Sequence, residues 1–159
     1  MVLWWHSVQN FTLVAALTRW MLGIIFAVAG TWKVFVLTPQ VHAKSFFVDG
    51  FKDQWIPDFM LWGLGYSIPV LELAAGIALL IGLWCRFTTA CVGLLLLLTT
   101  YGHALQQPLF DIDGHTFTRF VFVLILLALP KGVDQISLDH WLAKRRAGDM
   151  PDAVPTTNS

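Results

Sequence analysis

Charge is what this chain most lacks. Lys, Arg, Asp and Glu together make up 13% of its 159 residues, against about a quarter in soluble domains. The ten basic and ten acidic residues cancel, and no basic stripe is present, which excludes nucleic acid as a partner. Cysteine is scarce too. Cys85 and Cys91 are not spaced as CxxC, so they read as small buried hydrophobes rather than a redox pair. There is no phosphate-cradling P-loop, dinucleotide glycine fingerprint, nucleophile elbow, HExxH or haem-attachment CxxCH. No basic region precedes the first apolar run, which argues against a cleaved signal peptide. No repeat of solenoid type is found.

What is present is apolar and aromatic. Hydrophobic residues reach 57%, with eight Trp and twelve Phe, and the mean hydropathy is +0.67. This is the composition of helices held in a bilayer by aromatic belts. The apolar runs predict an all-α integral membrane four-helix bundle, with spans at about 11–37, 59–84, 87–105 and 117–133. Trp4, Trp5 and His6 read as an interfacial lead-in. Segment 38–58 alternates Val41, Phe46, Phe47, Phe51 and Trp55 with Lys44, Asp49, Lys52 and Asp53. That pattern predicts an interfacial connection between spans 1 and 2, lying on the membrane or tucked over the bundle. Ser137 is a plausible N-cap for a short C-terminal amphipathic helix over 138–144. The membrane domain is expected to cover 1–146, with 147–159 a disordered tail.

Four spans put both termini on one side. That side collects Arg19, Arg86, Lys131, Lys144, Arg145 and Arg146, and the other Lys33, Lys44, Lys52 and Arg119. The excess of basic residues places both termini in the cytoplasm.

The charges inside the spans carry the chemistry. Arg19, Gly23, Phe26, Gly30 and Lys33 form one seam on the first span. Pro69, Glu72, Gly76, Leu79 and Arg86 mark a second, with a kink or local unwinding expected near Pro69. In each, the end charges are fourteen residues apart, about 21 Å along an α-helix. Consecutive spans run antiparallel, so Arg19 and Arg86 share one depth and Lys33 and Glu72 the other. A lone carboxylate at that depth is costly, which predicts a Lys33–Glu72 pair, with both Arg19 and Lys33 also able to snorkel toward the interfaces. The pair is either a structural clamp or a proton-handling site.

His103 ends the third span at the same level, with Tyr101 close by in sequence. A quinone head group needs hydrogen-bond donors and an apolar slot. Lys33, Glu72 and His103, flanked by Trp32 and Tyr101, supply them, with Glu72 as proton acceptor and His103 or Lys33 as donor. A mixed metal site of His103 with Asp111, Asp113 and His115 is the weaker alternative; neither metal nor haem is predicted.

The order R-x3-G-x2-F-x3-G-x2-K (Arg19 to Lys33), then P-x2-E-x3-G-x5-G-x3-R (Pro69 to Arg86), then ISLDHWL with Ser137, Leu138 and Asp139, resembles the DoxX-like family of small four-span membrane proteins. The resemblance covers roughly 19–142 and implies a four-helix bundle in a bacterial cytoplasmic membrane. Relatives of this kind include a DoxD-type subunit of a thiosulfate:quinone oxidoreductase and MauE-type proteins associated with methylamine dehydrogenase maturation. Two functions are therefore expected side by side: a quinone-interacting or accessory subunit of a membrane oxidoreductase, or a non-enzymatic scaffold for a membrane complex. A small-molecule or proton conduit is a third. No built-in cofactor is expected, so any enzymatic role is at most that of a membrane subunit working with a protein partner.

Overall fold

Long apolar stretches in a low-charge chain leave the backbone one way to satisfy its own hydrogen bonds in lipid, which is to form helices. The computed structural model describes residues 2–107 and 116–148, with side chains described over 9–107 and 116–147. The described residues form α1 (Val2–Thr31), α2 (Pro39–His42), α3 (Asp58–Ile81), α4 (Cys85–Gln106), α5 (Thr118–Ala128) and α6 (Leu138–Gly148), and contain no strand. Wider π-helical turns cover Trp32–Val36 and Ala43–Val48.

Among the described residues three stretches are long and apolar enough to cross a membrane: Gln9–Val36, Asp58–Ile81 and Cys85–Gln106. The predicted fourth span, 117–133, is shorter as a helix. α5 has 11 residues, about 16 Å of rise at 1.5 Å per residue. Leu129 is extended (φ −65°, ψ 145°), as residues before proline tend to be, and Pro130 ends the element. Trp4–His6, read as an interfacial lead-in, lie in the first turns of α1, whose backbone is helical from Val2, ahead of the apolar stretch that begins at Gln9. The tail 149–159 and the loop carrying Asp111, Asp113 and His115 lie outside the described residues.

The four large helices close a ring: α1 packs on α3, α3 on α4, α4 on α5, and α5 on α1. Leu22, Phe26, Leu79, Val92, Leu96 and Val123 fill its centre. The α1–α3 seam is the tightest part. A Cβ on Gly30 would lie 2.6 Å from the Leu73 Cα, and one on Gly76 would lie 2.6 Å from the Ala27 Cα, so both positions need a residue without a side chain. Outward faces carry Leu13, Leu17, Ile24, Val28, Leu94 and Leu97, the complement of a lipid solvent. Cys91 lies on such a face and only Cys85 is half-buried; both are free. The expectation that both would be buried fails for Cys91, because a thiol facing lipid loses little by its exposure.

The terminal end is closed by side chains from the last third of the chain. Arg19 does not snorkel. Its Nε donates to Asp134 Oδ2 at 2.7 Å, and its Nη1 donates to the carbonyls of Leu79 and Leu80 at the C-terminus of α3. Asp139 accepts from the Trp84 and Cys85 backbone N–H groups at 2.8 and 2.7 Å, capping α4. Its own N–H donates to the Gly82 carbonyl at 3.0 Å. Gly82 ends α3 at φ 77°, in the left-handed region that glycine alone adopts freely. Arg86 donates to the Leu127 and Leu129 carbonyls at the end of α5. Ser137 caps α6 as expected, accepting from the His140 N–H at 3.2 Å.

Candidate functional site

The opposite end is organised by a missing donor. In an α-helix the N–H of residue 69 serves the carbonyl of residue 65, and Pro69 has no N–H. α3 nevertheless stays helical from Asp58 to Ile81, with no unwinding at Pro69. The Gly65 carbonyl is met from outside the helix, by His42 Nδ1 at 2.8 Å. A carbonyl only accepts, so Nδ1 carries the proton and Nε2 presents a lone pair.

Three local features deliver His42 to that carbonyl. Thr38 reverses the chain at φ 68° and ψ 142°, a strained conformation for a residue with a side chain. Pro39 then opens α2, with the Thr38 hydroxyl accepting from the Val41 N–H. Finally, Gly65 has no Cβ; one built there would stand 2.6 Å from the Ala43 Cβ. The connection can thus lie directly on α3. It is tucked over the bundle, one of the two arrangements its pattern predicted. Its far side is tied to the end of α4 by Gln54 donating to the Leu105 carbonyl and Gln106 donating to the Phe46 carbonyl.

Lys33 sits on the π-helical turn that continues α1, the kind of local widening often found at functional positions. Its Nζ lies 2.9 and 2.7 Å from the two Glu72 oxygens, so the expected pair forms. The side chains keep 24% and 11% of their surface. Glu72 lies one turn beyond Pro69 on α3.

Between the connection, α1, α3 and α4 lies a cavity of about 450 Å³. Trp32, Lys33, Tyr101 and His103, four of the five residues expected to bind a cofactor, line it; Glu72, the fifth, stands outside its wall and meets it through Lys33. His103 is engaged in further interactions. The rest of the wall is apolar and aromatic, with Phe46, Phe47, Phe51 and Trp55 from the connection and Leu61, Leu64 and Ile68 from α3. His42 also lines the cavity and is 5% exposed, with Phe46 and Phe47 rings at 5.4 and 5.5 Å. Burial pushes its imidazole below the ordinary pKa of 6.5; the Gly65 hydrogen bond opposes that shift, Lys33 adds to it and Glu72 opposes it.

His42 is the residue that sequence reasoning missed. The available signal was a proline four residues after a glycine, which announces an unserved carbonyl. Asp134 and Asp139 were missed as partners because they lie in what reads as loop and helix start. Of the weaker metal set, Asp111, Asp113 and His115 lie outside the described residues, and among those described no three His, Cys, Asp or Glu converge.

A sequence model of the DoxX family matches residues 14–104, more than half of the chain. The chain belongs to the DoxX family. No curated protein and no solved structure matches it. The matched segment of this DoxX protein holds both charged seams, His42 and the cavity's α4 residues through His103, and stops short of Asp134 and Asp139.

Proposed function

We propose that this multi-pass membrane protein is a quinone-interacting subunit of a membrane oxidoreductase system, sited in a bacterial cytoplasmic membrane with both termini inside. The observation that carries this reading is the cavity. Its volume falls in the range of small-molecule sites, roughly 300–1,000 Å³. Its wall combines aromatic rings with a few polar groups, Lys33, His42 and His103. Lys33 and His103 are donors and His42 Nε2 an acceptor, a set that fits a flat, two-oxygen head group. When bound, a quinone supplies paired electron and proton chemistry. The chain's own residues bind and orient it and handle protons. Lys33 stands at the cavity wall and pairs with Glu72. Glu72 is a carboxylate one residue removed from the ligand, placed to exchange a proton through Lys33. The Phe46, Phe47 and Phe51 side chains exclude water over the ring. Electrons pass to a partner protein.

The test is binding. Trp32 and Trp55 line the cavity, so a decyl-benzoquinone titrated into the detergent-purified protein should quench their fluorescence with saturation. Substituting Lys33→Met or His103→Phe should weaken binding several-fold. Unsaturable quenching identical in all variants would defeat the reading. Purification in mild detergent should also yield extractable quinone and a co-purifying redox protein.

A further inference from the structure

The cavity contains a hydrogen-bond acceptor whose direction is set by the backbone. Pro69 leaves the Gly65 carbonyl without its helical donor, and His42 Nδ1–H occupies it at 2.8 Å. That bond fixes the tautomer, so the second ring nitrogen accepts and does not donate. Among the described residues every fully buried side-chain nitrogen and oxygen has a hydrogen-bond partner, and the partner of His42 there is Gly65. Nε2 is therefore not fully buried, and the cavity is the space that His42 lines.

Resting on the quinone reading above, we propose that His42 Nε2 is the acceptor for a ring hydroxyl, and that the cavity selects the hydroxylated, hydroquinone form of its ligand over the carbonyl form. A carbonyl oxygen placed against Nε2 sets two lone pairs face to face, and each loses its hydration for no bond. A hydroxyl placed there donates. Sites built around a buried polar group reject the analogue that leaves it unpaired. The groups facing His42 keep this polarity. Lys33 on the first span repels a second proton on the ring; Glu72 on α3, paired with Lys33, pulls the other way but is the smallest of these influences. Burial among Phe46 and Phe47 holds the imidazole neutral near pH 7.

The experiment compares a decyl-benzoquinone with its hydroquinone, kept reduced under anaerobic conditions, by calorimetry on the full-length protein in detergent. The hydroquinone should bind the wild type about tenfold tighter, the worth of one buried hydrogen bond. The decisive variant is His42→Asn, whose side-chain amide stands where Nδ1 stands. It keeps the donor to Gly65 and removes Nε2, so the fold survives and the preference should fall to within about twofold. In the wild type, the Nε2 ¹⁵N resonance should shift on adding hydroquinone and not on adding quinone. Equal binding of both forms to the wild type, or an undiminished preference in His42→Asn, overturns this inference and leaves the quinone reading standing. Binding of neither form overturns both.

Discussion

Arg19 and Lys33 stand fourteen residues apart on one span, and each ends on a carboxylate. Their surroundings differ in kind. Arg19 is locked between Asp134 and two α3 carbonyls, with side-chain exposures of 2% for the arginine and 15% for its partner. Each contact joins α1 to the end of another element, and a cation at a helix C-terminus also meets the favourable end of the helix dipole. Lys33 spends its reach on Glu72 alone and leaves 24% of its side chain accessible at the wall of a cavity. The first pair holds helices together. The second is held by helices, so that one face stays open. A charge in an apolar run is therefore an incomplete signal, and what surrounds its far end decides between clamp and site.

The comparison breaks most visibly at the clamp. Arg19→Met strands Asp134 and removes a donor from the Leu79 and Leu80 carbonyls. Losing one partner of a buried pair costs about 3–5 kcal/mol, and unfolding in bicelles followed by steric trapping should read a loss of that size. Arg19→Lys should recover less than half of it, because an ammonium cannot hold a carboxylate and two carbonyls in the guanidinium's fork. Full recovery with lysine would mean that only the charge matters.

At the site the effect should be smaller. Lys33→Met and Glu72→Gln, singly and together, should show a coupling of about 1–3 kcal/mol, with each single change costing less than Arg19→Met because water reaches the lysine. Zero coupling would remove the pair from the account.

How much of this was legible follows the same division. The Lys33–Glu72 pair was readable because Glu72 lies in a regular helix and Lys33 on the turn that directly continues α1, where spacing still converts to depth. The Asp134 partner of Arg19 was not, because Asp134 follows the end of α5 and no periodicity places a turn residue in space. Ser137 could be read as a cap, but the clip that Asp139 forms over Gly82 and the start of α4 could not. His42 was the hardest. Pro69 announces a carbonyl in want of a donor, yet the chain does not say which residue will supply it. That depended on the Thr38 reversal and on Ala43 seating against Gly65, both products of tertiary packing.

His42 makes the site end sensitive to acid. Its pKa in the folded protein is lowered from 6.5, so between that lowered value and 6.5 the unfolded chain binds more protons than the native one. Stability must then rise with pH across this window and fall on acidification through it, with a slope of at most about 1.4 kcal/mol per pH unit from this group. Above 6.5 it contributes no slope. Unfolding measured from roughly pH 5 to 8 should show this component in the wild type and lose it in His42→Asn; an unchanged profile in the variant would assign the acid sensitivity elsewhere.

The finest test separates the proline from the histidine. A proline in an ordinary helix interior costs about 3 kcal/mol relative to alanine, much of it from the carbonyl left without a donor. Here that carbonyl already has one. Pro69→Ala restores a backbone N–H to a group that His42 serves, so the two donors compete and the gain in stability should be under about 1 kcal/mol. The Gly65 bond raises the His42 pKa against the effect of burial, so sharing that carbonyl should lower the pKa further, a shift that ¹⁵N titration of the imidazole can follow. A gain near the full proline penalty with an unmoved histidine would show that the two are independent. A small gain with a falling pKa would show that the proline is there to hand its acceptor to His42, and through it to turn Nε2 toward the cavity.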